Sequence, residues 1–159
     1  MSVLMAIPSA ELPAGVPPAM LKRKLLYAKE IDRPAIESVI SALLRAEHDM
    51  DALAFMQKIE DRAGIESLAQ TAIDRGDLFL YESCSRALGW DVKKKDLARL
   101  AARAAALGKL HYAVKAFRLA GKEEEAESAS RSLASLHGTP EQALEPRPAG
   151  PNVETEIDE

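Results

Sequence analysis

One stretch of the sequence occurs twice in similar form. Residues 65–89 read IESLAQTAIDRGDLFLYESCSRALG, and residues 97–121 read LARLAARAAALGKLHYAVKAFRLAG. Placing Ile65 on Leu97 aligns the two copies without a gap and leaves seven identical positions, including the glycine pairs Gly76 with Gly108 and Gly89 with Gly121. The other five are Leu68 with Leu100, Ala69 with Ala101, Ala72 with Ala104, Leu78 with Leu110 and Arg86 with Arg118. A period of about 20 to 50 residues is typical of stacked units that cannot bury their apolar faces alone.

The composition favours one all-α domain in a reducing compartment. Of 159 residues, 47% are apolar but only 4% are aromatic, and Ala and Leu outnumber the β-branched residues that favour sheets. The single cysteine, Cys84, cannot form an intrachain disulfide and is predicted to be a small buried residue. No apolar run reaches the length of a membrane span, and no basic residue precedes the short apolar opening as a secretory signal requires. We therefore expect a soluble, cytoplasmic protein without a membrane partner.

Proline and charge divide the chain into three segments. Residues 1–19 contain four prolines, which prevent a continuous helix and predict an extended arm. Residues 20–138 carry apolar residues at helical spacing and are the predicted helical repeat domain. Residues 139–159 are rich in proline and acidic residues, have little to bury, and are predicted to be a flexible acidic tail.

Cap signals place helices within the repeat domain. Asp32 and Asp77 each precede an apolar helical pattern and are predicted to cap the first amides of a helix. Glycine after such a pattern predicts the end of a helix, as at Gly64 and Gly76. Together the signals predict three antiparallel pairs and a final capping helix from Lys122. The face that this last helix turns to the stack is predicted to hold Ala126, Ala129, Leu133 and Leu136.

The second copy resembles the tetratricopeptide repeat. That family has a Leu early in the first helix, a Gly-x4-Ala turn and an Ala-x3-aromatic-x2-Ala ladder, and here the matching residues are Leu100, Gly108, Ala113, Phe117 and Ala120. The first copy keeps only the Leu and the Gly. The early Trp, the inter-helix Tyr and the closing Pro of the family are replaced by Leu97, Ala104 and Glu125. The resemblance implies antiparallel helix pairs stacked as a short right-handed solenoid with a terminal capping helix.

No catalytic or metal-binding pattern is visible in the sequence. His48, His111 and His137 lie far apart, and none has a second ligand three or four residues away, so no metal is expected. The eight glycines are spaced as helix terminators rather than as a phosphate loop. Acidic residues are explained by their positions in first helical turns. We therefore expect no cofactor and no enzymatic activity.

Charge is distributed unevenly along the chain. Between Asp91 and Ala120 there are eight Lys or Arg against two Asp, whereas from Gly121 onward there are three basic residues against ten acidic ones. The simplest interpretation of this distribution is that the charged residues lie on solvated helix faces and serve solubility. The functional interpretation is an anion-binding face, because Lys95, Arg99 and Arg103 recur at every fourth position on one helix. The acidic residues at 154–159 are then expected to compete for this face.

Two functions remain open at this point. The first is an adaptor or scaffold module that binds a partner peptide or helix through Lys95, Arg99 and Arg103 together with Glu66, Gln70 and Asp74 of the other copy. The resemblance implies that Lys95 and Arg99 line a groove that can hold the terminal carboxylate of a peptide, although Ser67 stands where the family supplies an Asn. The second is nucleic-acid binding through the basic block at 93–118. Few aromatic residues accompany that block, since Tyr112 and Phe117 are predicted to lie in the core.

Overall fold

The computed structural model describes residues 15–30 and 32–136, and these form eight helices. The helices are α1 (Ala19–Tyr27), α2 (Arg33–Arg45), α3 (Asp49–Lys58), α4 (Arg62–Asp74), α5 (Leu78–Leu88), α6 (Lys94–Ala106), α7 (Leu110–Ala120) and α8 (Glu123–Leu136). No strand occurs in these two ranges, so the all-α prediction is confirmed there. Most of the predicted arm and all of the predicted tail at 139–159 lie outside the described residues.

Six helices form three pairs, as the sequence predicts. α2 packs on α3, α4 on α5 and α6 on α7, and the short turn inside each pair makes its two helices antiparallel. The pairs are joined by contacts of α3 with α4 and α5, and of α4 with α6. α1 packs on α3 at one end, and α8 packs on α7 at the other. Buried side chains of all eight helices form one continuous core.

The repeat has three copies rather than two. The alignment of residues 65–89 with residues 97–121 also carries the bounds of α4 onto α6 and those of α5 onto α7. A second alignment, which places α2 on α4 from end to end, carries the first residue of α3 onto that of α5. The backbone follows the same correspondence, because Glu47, Gly76 and Gly108 all have positive φ, at 59°, 60° and 72°. In each copy the interval from the start of the first helix to the start of the second is therefore the same, at positions 33 and 49, 62 and 78, and 94 and 110.

The start of α8 can be aligned with that of α6, but α8 packs chiefly on α7, whereas α6 packs on the first helix of the preceding pair, α4. When Glu123 is placed on Lys94, so that the starts of α8 and α6 coincide, Ala126 and Ala129 take the positions of the buried Leu97 and Leu100. Both alanines are buried as predicted. Leu133 is only half-buried and Leu136 is 73% exposed, so the predicted apolar face of the capping helix is covered over its first half alone.

The first helix of each of the first two copies begins with an aspartate cap that is followed by an arginine. The side chain of Asp32 accepts a hydrogen bond from the amide of Ala35, and that of Asp77 accepts one from Leu80, which confirms both predicted caps. Asp61 caps α4 in the same way. The arginine after Asp32, Arg33, donates to the carbonyl of Ile59, and its equivalent Arg62 donates to the carbonyl of Leu88. Each of these two pairs is thus closed by a bond between its two ends.

The prediction that Gly64 ends a helix was wrong. α3 ends at Lys58, and Gly64 lies in the first turn of α4, where its amide donates to the side chain of Asp61 at 2.9 Å. The chain turns instead at Glu60, which takes a positive φ of 56° in the place of Gly89 and Gly121. A glutamate in this conformation gives no sequence signal, whereas Gly64 gives a misleading one.

The second and third pairs meet at a small contact between backbones. A Cβ atom added to Gly76 would lie 2.6 Å from the Cα of Ala104 on α6. Ala104 itself is fully buried. Only glycine fits at this turn, because it supplies both the positive φ and the room for α6. The contact fixes α6 against the end of α4.

Candidate functional site

The six predicted partner-binding residues lie on two helices that pack side by side. Glu66, Gln70 and Asp74 lie on α4, and Lys95, Arg99 and Arg103 lie on α6. All six side chains are exposed, and α4 contacts α6 directly. Recurrence at every fourth position keeps each set on one side of its helix. The structure therefore presents an acidic and amide strip on α4 and a basic strip on α6.

Hydrogen bonds join the two strips at their carboxyl ends. Arg103 Nε donates to the backbone carbonyl of Asp74 at 2.8 Å. Within α4, Gln70 Nε2 donates to Asp74 Oδ1 at 3.1 Å. Arg103 therefore bonds to a backbone carbonyl at the end of α4, and the carboxylate of Asp74 bonds to Gln70 instead of to Arg103.

The other end of the basic strip is less constrained. The Arg99 guanidinium lies 3.9 Å from Asp96 Oδ1, at the outer limit of an ion pair between exposed groups. Lys95 has no ion-pair partner among the described residues. Lys95 and Arg99 are therefore the cations of the face that remain most available to an anionic group of a ligand.

Much of the basic block at 93–118 is engaged within the stack. Lys109 Nζ donates to the carbonyl of Arg75 at 2.7 Å, and Lys115 Nζ lies 3.2 Å from Glu82 Oε2. Arg118 lies 3.9 Å from Glu123. Lys93 lies over the Trp90 ring, 5.5 Å from its centre, in a cation–π contact. With Arg99 and Arg103 included, six of the eight basic residues have such contacts, so the block does not form one uniform cationic surface.

The predicted core position of Tyr112 was wrong, whereas that of Phe117 is confirmed. Phe117 is buried, but Tyr112 is 38% exposed at the start of α7. Tyr112 lines an apolar groove with Leu110 on the same helix and with Leu133 and Leu136 at the end of α8. The sequence did not indicate this groove, because leucines on one face of a helix look the same whether or not a partner covers them.

Two groups with raised pKa values, Tyr81 and Cys84, lie on α5. Burial, with a smaller effect of Asp49 and Asp77, raises the pKa of the Cys84 thiol to about 11. Burial and the nearby Asp96 carboxylate raise the pKa of Tyr81, whose hydroxyl lies 3.3 Å from Asp96 Oδ2. A raised thiol pKa makes Cys84 a poor nucleophile at neutral pH, which agrees with its predicted role as a small buried residue.

No metal site or membrane span occurs in the part of the chain that the structure describes. Across residues 15–30 and 32–136, no group of three His, Cys, Asp or Glu is arranged to hold a metal ion. Over the same ranges, no helix combines the length and the apolar character that crossing a bilayer requires.

Comparison with known proteins assigns the chain to no family. No family model, no curated protein and no solved structure matches it. What is established is an all-helical stack of eight helices in the described ranges, with contacts between neighbours along the chain.

Proposed function

We propose that this protein is a non-enzymatic adaptor or scaffold module that binds a peptide or helix of another protein on the face formed by α4 and α6. The observation that carries the proposal is the pair of exposed strips on these adjacent helices. Stacked helix pairs present extended surfaces of this kind, on which a partner segment can lie across several helices. The proposal includes a tetratricopeptide-like mode of stacking and a location in the cytoplasm.

Charge indicates what kind of partner segment suits the face. A segment with acidic residues or a terminal carboxylate on one side complements Lys95 and Arg99, and basic residues on its other side complement Glu66 and Asp74. Complementary charges at an interface chiefly provide specificity of orientation and faster association. We therefore expect a segment of mixed charge rather than a uniformly acidic one.

Binding of nucleic acid through the basic block is the alternative function. It has less support, because six of the eight basic residues already have polar or cation–π contacts within the described part of the chain. Tyr112 is exposed, but it lines an apolar groove on α7 rather than the strip on α6.

The test begins with capture of partners from an extract of the native cells on the immobilised full chain, with and without nuclease. A captured protein is then purified, and its dissociation constant is measured by calorimetry. The double substitution Lys95→Glu with Arg99→Glu is expected to weaken binding by about tenfold or more, because each buried charge contact at an interface is worth about 1.5 kcal/mol or more.

A matched control carries the same change in net charge elsewhere. Arg23→Glu with Arg131→Glu alters exposed residues on α1 and α8 and should leave the affinity within about twofold at physiological salt, where the Debye length is about 8 Å. Equal losses in both double variants would contradict a site on α4 and α6. Capture that nuclease abolishes, with a steep dependence of affinity on salt, would favour nucleic acid instead.

A further inference from the structure

Both ends of the stack expose apolar side chains. At one end, Met20 and Tyr27 of α1 are 72% and 78% exposed, and their spacing of seven residues places them on the same side of the helix. At the other end, the groove between α7 and α8 has a volume of about 580 Å³ and is lined by Tyr112 and by Leu136, which is 73% exposed. The outer faces of terminal units are typically polar, which keeps a stack soluble, and here both are interrupted by apolar residues.

The exposed side of α1 belongs to an anchored helix. α1 packs on α3 and buries Leu25. Lys22 forms an ion pair with Asp51 of α3, and Lys58 Nζ donates to two carbonyls at the end of α1 at 2.8 Å. Because these bonds hold α1 against the stack, its outer side is a fixed surface on which another helical surface can pack.

The two ends carry opposite charge. α1 contains three basic residues and no acidic one. α8 contains four glutamates and one arginine, and the sequence after it adds six acidic residues against one basic residue. The rim of the groove itself includes Lys109 and His111, so the negative charge of this end comes from α8 and the sequence after it. Opposite charges attract and like charges repel within a Debye length of about 8 Å, so contact between unlike ends is favoured over contact between like ends.

We propose that α1 of one molecule occupies the groove between α7 and α8 of a second copy, with Met20 and Tyr27 packed against Leu133 and Leu136. The three helix pairs separate α1 from α8 within one molecule, so the contact forms between two molecules. Two different surfaces meet, and such a contact continues into open chains or closes a ring. Because α1 has only nine residues, the interface is small, and we expect a dissociation constant of about 0.1–1 mM.

Complementation between two variants of the full chain tests the proposal. In the α1 variant, Met20→Asp and Tyr27→Asp remove one end. In the groove variant, Tyr112→Asp and Leu136→Asp remove the other. Each variant keeps one intact end, so neither should associate alone at about 1 mM in sedimentation equilibrium. An equimolar mixture should form a dimer of the two variants and nothing larger, whereas the natural chain should also form larger species.

The control variant carries the same kind of change in the middle of the stack. Phe79 on α5 and Val92 in the α5–α6 loop are 57% and 39% exposed. Phe79→Asp with Val92→Asp should therefore associate as the natural chain does, and circular dichroism verifies that all three double variants keep their helices. Affinity in the mixture of the α1 and groove variants should fall severalfold when added salt shortens the Debye length from about 10 Å to about 3 Å.

Disulfide trapping gives a second measurement, with single substitutions at exposed positions. Chains with Tyr27→Cys should cross-link to chains with Leu136→Cys at least about tenfold faster than either cross-links to itself, because the contact raises the effective concentration of the two thiols. Cys84 is buried and stays out of the reaction.

Four results would overturn the proposal. Association of the α1 variant alone would mean that two grooves meet, and association of the groove variant alone would mean that two α1 helices meet. A natural chain that stays monomeric at about 1 mM would show that the groove does not receive a second copy. Equal losses in the control variant would assign the effect to added charge in general.

Discussion

The turns inside the second and third pairs have similar backbones and very different surroundings. Gly76 and Gly108 both take a left-handed conformation, with φ of 60° and 72°. Beside Gly76 the space is filled by the backbone of Ala104, whereas no described atom lies within 4 Å of the corresponding point at Gly108. The local sequence therefore determines the turn, and the following unit determines whether that turn becomes an interface.

Polar contacts differ between the two turns in the same direction. The carbonyls of Asp74 and Arg75 at the end of α4 accept hydrogen bonds from Arg103 and Lys109 of the next pair. When α8 is aligned on α6, those two donors correspond to positions 132 and 138, which are serine and glycine and carry no cation. α8 thus has neither the small residue nor the basic donors with which the third pair packs on the second.

The largest expected effect is that of Gly76→Ala. The new Cβ would lie 2.6 Å from the Cα of Ala104, and the residue would be held at a positive φ. We expect a loss of about 3 kcal/mol in the free energy of unfolding, from strain at the turn and displacement of α6. Urea denaturation measures it.

Gly108→Ala is the matched control for this loss. Its new Cβ meets no described atom, and the substitution should cost only about 1 kcal/mol, from the left-handed conformation alone. If the two substitutions cost the same, the contact between the Gly76 turn and α6 does not hold the pairs together.

The stack was predictable where its copies align without a gap. The alignment of the two copies predicted the second and third pairs, and the structure places their helices at that spacing. The first pair was not recognised as a copy, because it is spaced more closely to the second pair and because Glu47 and Glu60 replace the glycines of its turns. One signal was present in the sequence, since the pattern Asp-Arg-x-x-Ile begins at Asp32 and again at Asp61.

The site was predictable only as faces of single helices. Recurrence at every fourth position placed the strips on α4 and α6 on exposed surfaces, and the structure agrees. Spacing could not show that Arg103 bonds to a carbonyl on the neighbouring helix or that Leu136 is largely uncovered, because both depend on how units pack rather than on periodicity.

A pH-dependent effect sharpens the comparison at the second helices. Cys84 of α5 and Ala116 of α7 hold equivalent, fully buried positions in the alignment of the two copies. Because burial raises the pKa of Cys84 from 9.0 to about 11, the unfolded chain loses the thiol proton first as pH rises. The contribution of the neutral thiol is complete below pH 9 and is lost between pH 9 and 11.

Cys84→Ala makes the second pair resemble the third at this position. Its free energy of unfolding should fall less steeply than that of the natural chain over that range, with a difference of about 2 kcal/mol at the upper end. Denaturation in buffers across the range measures the difference in slope, so a constant cost of the smaller side chain does not matter. Parallel curves for the two proteins would show that the thiol titrates equally in the folded and unfolded states.

The smallest expected effect is a gain in stability in the first pair. Glu47 and Glu60 hold positive φ values of 59° and 56° at positions where the later copies have glycine. Left-handed backbone costs a residue with a side chain about 1–2 kcal/mol, and glycine avoids that cost. Glycine also makes the unfolded chain more flexible, which offsets part of this gain in stability. Glu47→Gly and Glu60→Gly should therefore each raise the free energy of unfolding by about 0.5–1 kcal/mol. Glu47 lies 3.8 Å from Arg75 in an exposed ion pair, and losing that contact reduces the gain only slightly.

Glu127→Gly, at an exposed position inside α8, is the control and should instead lower the free energy of unfolding by about 1 kcal/mol. Urea midpoints that fall for all three glycine variants would mean that the turns of the first pair are not copies of those at Gly76 and Gly89.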